Sequence, residues 1–96
     1  MSIEILIFNT FRGDIMKIYD YDGKKNICGE RIQQARRRCR LTQTDLAAQL
    51  QVAGIIIERD SVSRIEIGTR FVADYELREI ARILKVSVNW LLEIEE

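Results

Sequence analysis

Hydrophobic residues recur at helical spacing through most of the chain after residue 26. Apolar positions three and four residues apart form one stripe on each of five successive segments, with polar residues on the other faces. The first stripe consists of Cys28, Ile32, Ala35 and Cys39. The pattern predicts an all-α fold of five short helices with no sheet in its core.

Capping residues and glycines delimit these helices. Thr42 is a favourable N-cap for a second helix that begins at Gln43, and Gly54 is a natural stop for that helix. The other predicted boundaries are Gly68 after a third helix over residues 58–67, and the N-caps Asp74 and Ser87 of the fourth and fifth helices.

The first 26 residues differ from the rest and are predicted to be an N-terminal extension and linker, followed by one domain over residues 27–93. Ile3, Ile5 and Ile7 alternate with their neighbours, which predicts a short strand. A lone strand is unstable, so it must pack on the domain, pair with a second copy or stay loose. Met16 offers a second start, so residues 1–15 could be an upstream extension with little function.

The charge distribution changes the interpretation of a chain whose net charge is zero. Residues 24–70 contain ten Lys or Arg and five Asp or Glu, whereas both ends have an acidic excess. Charges beyond about 8 to 10 Å are screened, so a basic face attracts phosphates locally even on a neutral molecule. The alternative is a basic face that is merely solvated.

Candidate metal and catalytic chemistry is scarce. The chain has no histidine, and Cys28 and Cys39 do not provide the four ligands with paired spacing that zinc needs. A cysteine nucleophile without a histidine base is also unfavourable, so we expect both cysteines to pack in the core and the protein to be neither an enzyme nor a cofactor carrier.

No apolar run reaches the roughly 18 to 20 residues of a membrane span, and the short run at residues 3–8 is a poor signal peptide. We expect a cytoplasmic protein.

Three separated motifs carry a resemblance to a known family. GERIQQARRRCRLTQTDLAAQL, VSRIEIGTR and LREIARILKVSVNWLL resemble, in this order, the Cro and lambda-repressor-like helix-turn-helix family, also called the xenobiotic-response-element type. The resemblance covers residues 27–92. It implies a five-helix DNA-binding domain, whose second and third helices form the helix-turn-helix, and a transcriptional regulator that binds double-stranded DNA as a homodimer.

The resemblance also implies DNA-contacting residues. Thr42 and Gln43, at the start of helix two, would hold a backbone phosphate. In the third helix Asp60 could accept a hydrogen bond from cytosine or simply favour the helix N-terminus, and an arginine can bond to guanine O6 and N7 together. The positions that match base contacts are Arg59, Asp60, Ser63 and Arg64, and those that match a phosphate-contacting loop are Thr69 and Arg70. The alternative is that the arginines are only solvated charges.

Three other residues match structural positions of the family. Arg36 and Glu66 match a salt bridge between the first helix and the recognition helix, which we expect to be structural rather than part of the DNA contact. Trp90 lies beside inward-facing leucines, which favours core packing. The last helix often forms the dimer contact in this family, so Trp90 is also a candidate dimer contact.

The chain departs from the family between Leu50 and Val62, where usual members have about five fewer residues. Residues 51–57 must therefore lengthen helix two or enlarge the turn, and either change could tilt the recognition helix. We expect Ile55 to Ile57 to fold onto the core, although an exposed apolar loop could bind a partner. These isoleucines and the apolar residues 1–15 support a second interpretation, an antitoxin-like or coactivator-like protein-interaction module with secondary DNA binding.

Overall fold

A computed structural model describes residues 21–95, and the strand predicted at residues 3–8 lies outside this part of the chain. The described residues form five α-helices and no β-strand beyond an isolated bridge between Tyr21 and Lys24. The fold is therefore all-α, as the hydrophobic pattern predicts. The helices are α1 (Gly29–Arg38), α2 (Gln43–Val52), α3 (Arg59–Ile67), α4 (Asp74–Leu84) and α5 (Val88–Leu91).

One hydrophobic core holds the helices together. Each of α3 and α4 packs against both α1 and α2, while α5 packs against α4 and α1. The largest fully buried side chains come from all five helices: Ile32, Leu46, Leu50, Val62, Ile65, Ile80, Leu84 and Leu91. Burial of a side chain of this size stabilises the fold by about 1.5–3 kcal/mol, so the apolar stripes are what fix the helix packing.

The segment expected to lengthen helix two or enlarge the turn lies mainly in the connection after α2. Helix α2 ends at Val52, and residues 53–58 connect it to α3. The side chains alternate along this connection, because Ile55 and Ile57 are buried whereas Ile56 is 88% exposed. Gln51 Nε2 donates a 2.7 Å hydrogen bond to the Ile57 carbonyl oxygen and closes the turn. The expected folding of this segment onto the core is confirmed for two isoleucines and wrong for Ile56.

The start of α4 differs from the prediction. Asp74 is the first helical residue rather than the N-cap, which is Ala73. Alanine has no side chain that can accept a hydrogen bond from the first turn. The N-cap is instead held by a bond from its own backbone N–H to a side chain of the helix. The Ala73 backbone N–H donates to Glu76 Oε1 at 3.0 Å, so a carboxylate inside the first turn satisfies the capping position.

Helix α1 approaches the end of α3 unusually closely at Gly29. A Cβ atom at this position would lie 2.8 Å from the Glu66 carbonyl oxygen and in closer contact with that of Ile65. Both atoms belong to backbone, which cannot move aside as a flexible side chain can. Glycine is therefore required here by space, and it sets the distance between α1 and α3.

Candidate nucleic-acid interface

The N-terminus of α2 is held by a reciprocal pair of hydrogen bonds. The Asp45 backbone N–H donates to Thr42 Oγ1 at 2.9 Å, and the Thr42 N–H donates to Asp45 Oδ2 at 2.9 Å. Hydrogen bonds from the backbone and side chain of Thr42 lower the pKa of Asp45, so its carboxylate stays ionised. The first turn of a helix leaves N–H groups without intrahelical acceptors, and those of Gln43 and Thr44 occupy that turn.

Gln43 connects this N-terminus to α3. Its Nε2 donates to Glu66 Oε1 at 3.0 Å, and the side chain is half-buried. The amide is therefore oriented by the bundle, while the backbone N–H of Gln43 remains in the first turn of α2. This arrangement fixes the start of α2 relative to α3.

Glu66 is the centre of a buried polar network. Arg36 Nε donates to Glu66 Oε2 at 2.6 Å and Arg36 Nη2 donates to Oε1 at 3.0 Å. With the bond from Gln43, Gln33 Nε2 makes a fourth contact, to Oε1 at 3.3 Å. Burial alone would raise the pKa of Glu66, but the hydrogen bonds from Arg36, Gln43 and Gln33 outweigh it and the pKa is lowered. An ionised Glu66 thus ties α1, α2 and α3 together.

Helix α3 divides into a buried face and an exposed face. Val62 and Ile65 are buried, whereas Arg59, Asp60 and Arg64 are exposed. Arg59 Nη1 and Asp60 Oδ1 form an exposed ion pair at 3.1 Å. The Arg64 guanidinium donates a weak 3.4 Å hydrogen bond to Ser61 Oγ. Ser63 is half-buried and is thus less accessible than its charged neighbours.

A guanidinium and a short carboxylate on one exposed helix face can read base edges. Arginine presents a rigid set of donors that matches guanine O6 and N7, and a carboxylate can accept from cytosine N4. An α-helix fits the major groove, which is about 12 Å wide. The exposed face of α3 therefore has suitable chemistry at Arg59, Asp60 and Arg64.

An open groove brings part of the predicted site together. It runs between the end of α1, the start of α2 and the start of α3, and it joins Arg59 to Thr42 and Gln43. Its lining residues are Gln33, Arg36, Arg37, Arg40, Leu41, Thr42, Gln43, Thr44 and Arg59. Thr69 and Arg70 do not line this groove, because they follow α3 at its opposite end.

Arg70 is engaged in an ion pair. Its Nη1 and Nη2 donate to the two carboxylate oxygens of Glu76 at 3.0 and 3.1 Å, and Nη1 also donates to the Phe71 carbonyl oxygen at 2.9 Å. The side chain is 24% exposed. Three of the five guanidinium donors are thus used, so a phosphate contact by Arg70 would have to share a side chain that anchors the loop after α3.

Thr69 is more open than Arg70. It is exposed, and its backbone N–H donates to the Arg64 carbonyl oxygen at 2.8 Å. This bond closes the C-terminal turn of α3 around Gly68, which has a left-handed φ of 88°. The hydroxyl of Thr69 makes only a 3.4 Å contact with the same carbonyl, so it is accessible to a backbone phosphate.

The sequence interpretation missed Asn26. Its Nδ2 donates to the Ile65 carbonyl oxygen at 3.0 Å and to that of Arg70 at 2.8 Å. Its Oδ1 accepts from the backbone N–H groups of Cys28 and Gly29 at 3.1 and 2.8 Å. Asn26 therefore caps α1 and at the same time fixes the end of α3. The signal available in the sequence was an asparagine two residues before the first apolar stripe.

Trp90 lies between two arginines of α1. The guanidinium carbons of Arg31 and Arg38 lie 4.8 and 5.1 Å from the centroid of the indole ring. Arg31 Nη1 also donates to the Trp90 carbonyl oxygen at 2.8 Å. The side chain is half-buried and packs against the core, so part of the ring is accessible beside two positive charges.

The described residues contain no group of three or more histidine, cysteine, aspartate or glutamate side chains that could hold a metal ion. Cys28 is buried and Cys39 partly buried, and both are free thiols. Burial raises the pKa of Cys28 to about 11, so it is a neutral thiol at physiological pH. Over residues 21–95, no helix is both long enough and apolar enough to cross a membrane.

Residues 28–93 match the helix-turn-helix domain family. The match covers about two thirds of the chain and includes all five helices, so the protein belongs to this family, whose domains are typical of DNA-binding regulators. Searches of curated proteins and of solved structures gave no match to the chain.

Proposed function

We propose that this protein is a sequence-specific transcriptional repressor of the Cro and lambda-repressor-like type, which inserts α3 into the major groove of operator DNA. The observation that carries the proposal is the division of α3, where Arg59 and Arg64 are exposed while Val62 and Ile65 are buried. The helix is anchored by one face and free to bind with the other. The groove beside its N-terminus adds Thr42 and Gln43 as phosphate contacts.

The proposal assigns roles to the other site residues. Arg59, Asp60, Ser63 and Arg64 contact bases, and Thr69 contacts the phosphate backbone. Arg70 contacts phosphate while it keeps its ion pair with Glu76. The Arg36–Glu66 pair acts only on the structure, by holding α3 against α1.

The proposed assembly is a homodimer that acts in the cytoplasm, with residues 27–93 as the DNA-binding domain, residues 1–26 as an extension, and no catalytic activity. Trp90 is the proposed dimer contact. Partial exposure of its ring supports this role, because an aromatic side chain is a common anchor of interfaces. The half-site spacing of a selected operator would report the dimer geometry.

Selection of bound sites from random double-stranded DNA tests the function. The protein should enrich a sequence with two half-sites and bind it with an affinity that falls steeply with salt. About five phosphate contacts give a slope of log K against log salt near −4 to −5. A chain that enriches no sequence and binds no DNA at low salt would contradict the proposal.

A second candidate function is a protein-interaction module of the same fold, antitoxin-like or coactivator-like, with secondary DNA binding. Two apolar side chains near the enlarged turn favour it, because Val52 is 90% exposed and Ile56 is 88% exposed. Replacement of both by serine should leave DNA binding intact under either function, so the readout is repression of a reporter gene behind the selected operator. Full repression by the double variant is expected if the protein is a repressor that needs no partner at this surface, and loss of repression with intact DNA binding would favour the interaction module.

A further inference from the structure

The end of α1 contains an arginine in a position that favours glycine. Arg40 has a left-handed φ of 58°. Its backbone N–H donates to the Arg37 carbonyl oxygen at 3.0 Å, and the Leu41 N–H donates to that of Arg36 at 3.1 Å. These two bonds form the helix-ending motif in which the left-handed residue is most often glycine. A Cβ atom is unfavourable in this conformation, so Arg40 makes the fold less stable than glycine would.

Arg37 and Arg40 are both exposed, and together they are called the basic edge. Both side chains line the groove that also contains Arg59, and none of the residues that line this groove is acidic. Within the described part of the chain, neither Arg37 nor Arg40 has a carboxylate within 4.0 Å or a side-chain hydrogen bond. Their neighbours differ, since Arg36 is bonded to Glu66 and Arg38 stacks on Trp90.

Like charges without a carboxylate partner on one edge repel one another, and an anionic ligand would offset that repulsion. The edge is continuous, through one groove, with Thr42, Gln43 and Arg59. A ligand that contacts both the basic edge and Arg59 would extend along this groove, and negative charge along its length would complement the arginines at both ends. The sugar-phosphate backbone of double-stranded DNA has this form, with phosphates spaced regularly along each strand.

We propose that the basic edge binds the DNA phosphate backbone next to the groove read by α3, and that Arg40 is retained in its unfavourable conformation for this contact. The inference rests on the proposed function and adds α1 to the DNA-binding surface. Arg37 and Arg40 contact no base, so they contribute affinity and salt dependence but no sequence preference.

Replacement of Arg40 by glycine tests the inference, because it changes stability and binding in opposite directions. Arg40→Gly removes the unfavourable conformation, and the melting temperature should rise by about 2 to 6 °C. The same change removes one phosphate contact. Affinity for the selected operator should fall roughly 5- to 10-fold at 0.1 M salt, and the salt slope should become shallower by about 0.9. The preferred DNA sequence should not change.

Lys85→Gly is the matched control. Lys85 is also a cation at a helix end with a left-handed φ, of 61°, and it is exposed. It lines a different surface, with Gln49, Val52, Ala53, Arg82 and Ile83. Lys85→Gly should raise the melting temperature in the same way and leave DNA affinity and the salt slope unchanged. Arg40→Lys keeps both the charge and the conformation, and it should bind within about threefold of the wild-type chain.

The outcomes distinguish the inference from the function on which it rests. If Arg40→Gly binds DNA with the affinity and salt slope of the wild-type chain, the role of the basic edge is overturned and the proposed function is not. Equal losses in Arg40→Gly and Lys85→Gly would also overturn it, because the effect would then be one of net charge. Absence of DNA binding by the wild-type chain would overturn the proposed function and this inference together.

Discussion

Arg36 on α1 and Glu66 on α3 form the most buried ion pair of the described residues, with a shortest N–O distance of 2.6 Å. The Glu66 side chain is fully buried and that of Arg36 is 9% exposed. Arg36 Nη1 also donates to the Leu41 carbonyl oxygen at 2.8 Å, so the same guanidinium holds the loop that leads into α2. The position of α3 relative to the start of α2 therefore depends on this pair.

Removal of one member of the pair should be strongly destabilising. Arg36→Met leaves a buried carboxylate without its main partner, and we expect the free energy of unfolding to fall by about 3–5 kcal/mol in urea titrations. The double variant Arg36→Met, Glu66→Leu should recover much of this loss, because neither charge remains. Arg59→Met, which removes a pair that is exposed to solvent, serves as the control and should change stability by about 0.5 kcal/mol or less. A single variant as stable as wild type would contradict the structural role of the pair.

Acid should weaken the fold through Glu66. The pKa of this carboxyl is lowered in the folded state relative to its ordinary value of 4.5, so the unfolded chain binds the proton more readily. Its contribution is fully present above about pH 4.5 and is lost as the pH falls through the lower folded pKa. Urea titrations from pH 7 to pH 3 should show this decline.

Glu66→Gln provides the comparison for this pH dependence. It should be less stable than wild type at pH 7 and lose less stability on acidification, because residue 66 no longer titrates. Some loss should remain, because the pKa values of Glu76 and Asp45 are also lowered and both groups still titrate. Parallel pH curves for the two proteins would show that Glu66 does not contribute to acid sensitivity.

Gly29→Ala should destabilise the protein although helix propensity favours alanine by about 1 kcal/mol. The added methyl group would meet the backbone carbonyl oxygens of Ile65 and Glu66, so α1 and α3 must separate. We expect a loss of about 1–3 kcal/mol in the free energy of unfolding. Gln34→Ala, at an exposed position of the same helix, is the control and should be neutral or slightly stabilising. Stabilisation by Gly29→Ala would show that the helices are not in close contact there.

Asn26 can be tested by two substitutions that separate its roles. Asn26→Ala removes two donated and three accepted hydrogen bonds, the third accepted one a 3.7 Å bond from Cys28 Sγ, and about 1–3 kcal/mol of stability should be lost. Asn26→Asp keeps the oxygen that caps α1 but cannot donate to the end of α3, so an intermediate loss is expected. Asn89→Ala, at an exposed position on α5, should have little effect. If Asn26→Ala is as stable as Asn89→Ala, Asn26 does not stabilise the start of α1 and the end of α3.

The hydrophobic pattern was sufficient to predict the five helices, because each buries a stripe whose spacing is local in sequence. Leu46 and Leu50 of α2, for example, are both fully buried. The pattern could not predict contacts made by polar side chains between distant segments. The two hydrogen bonds that Asn26 donates to the Ile65 and Arg70 carbonyl oxygens are of this kind.

The errors at Asp74 and Ile56 have local causes instead. Asp74 has a better capping side chain than Ala73, yet the helix begins one residue earlier than predicted, with the Ala73 N–H bonded to the Glu76 carboxylate of the first turn. Ile56 belongs to an apolar run, but successive side chains of the connection point to opposite sides. Ile55 and Ile57 are therefore buried and Ile56 is exposed. The site residues follow from the resemblance and remain predictions, apart from their positions in the fold.

The base preference of Arg64→Ala on the selected operator shows whether α3 reads the DNA sequence. Binding to the operator and to single-base variants should be compared for wild type, Arg64→Ala and Arg78→Ala, the last of which removes an exposed arginine of α4. We predict that Arg64→Ala loses about 1–3 kcal/mol of discrimination at one base pair of each half-site, while Arg78→Ala behaves as wild type. Wild-type affinity and base preference in both Arg64→Ala and Arg59→Ala would contradict the account.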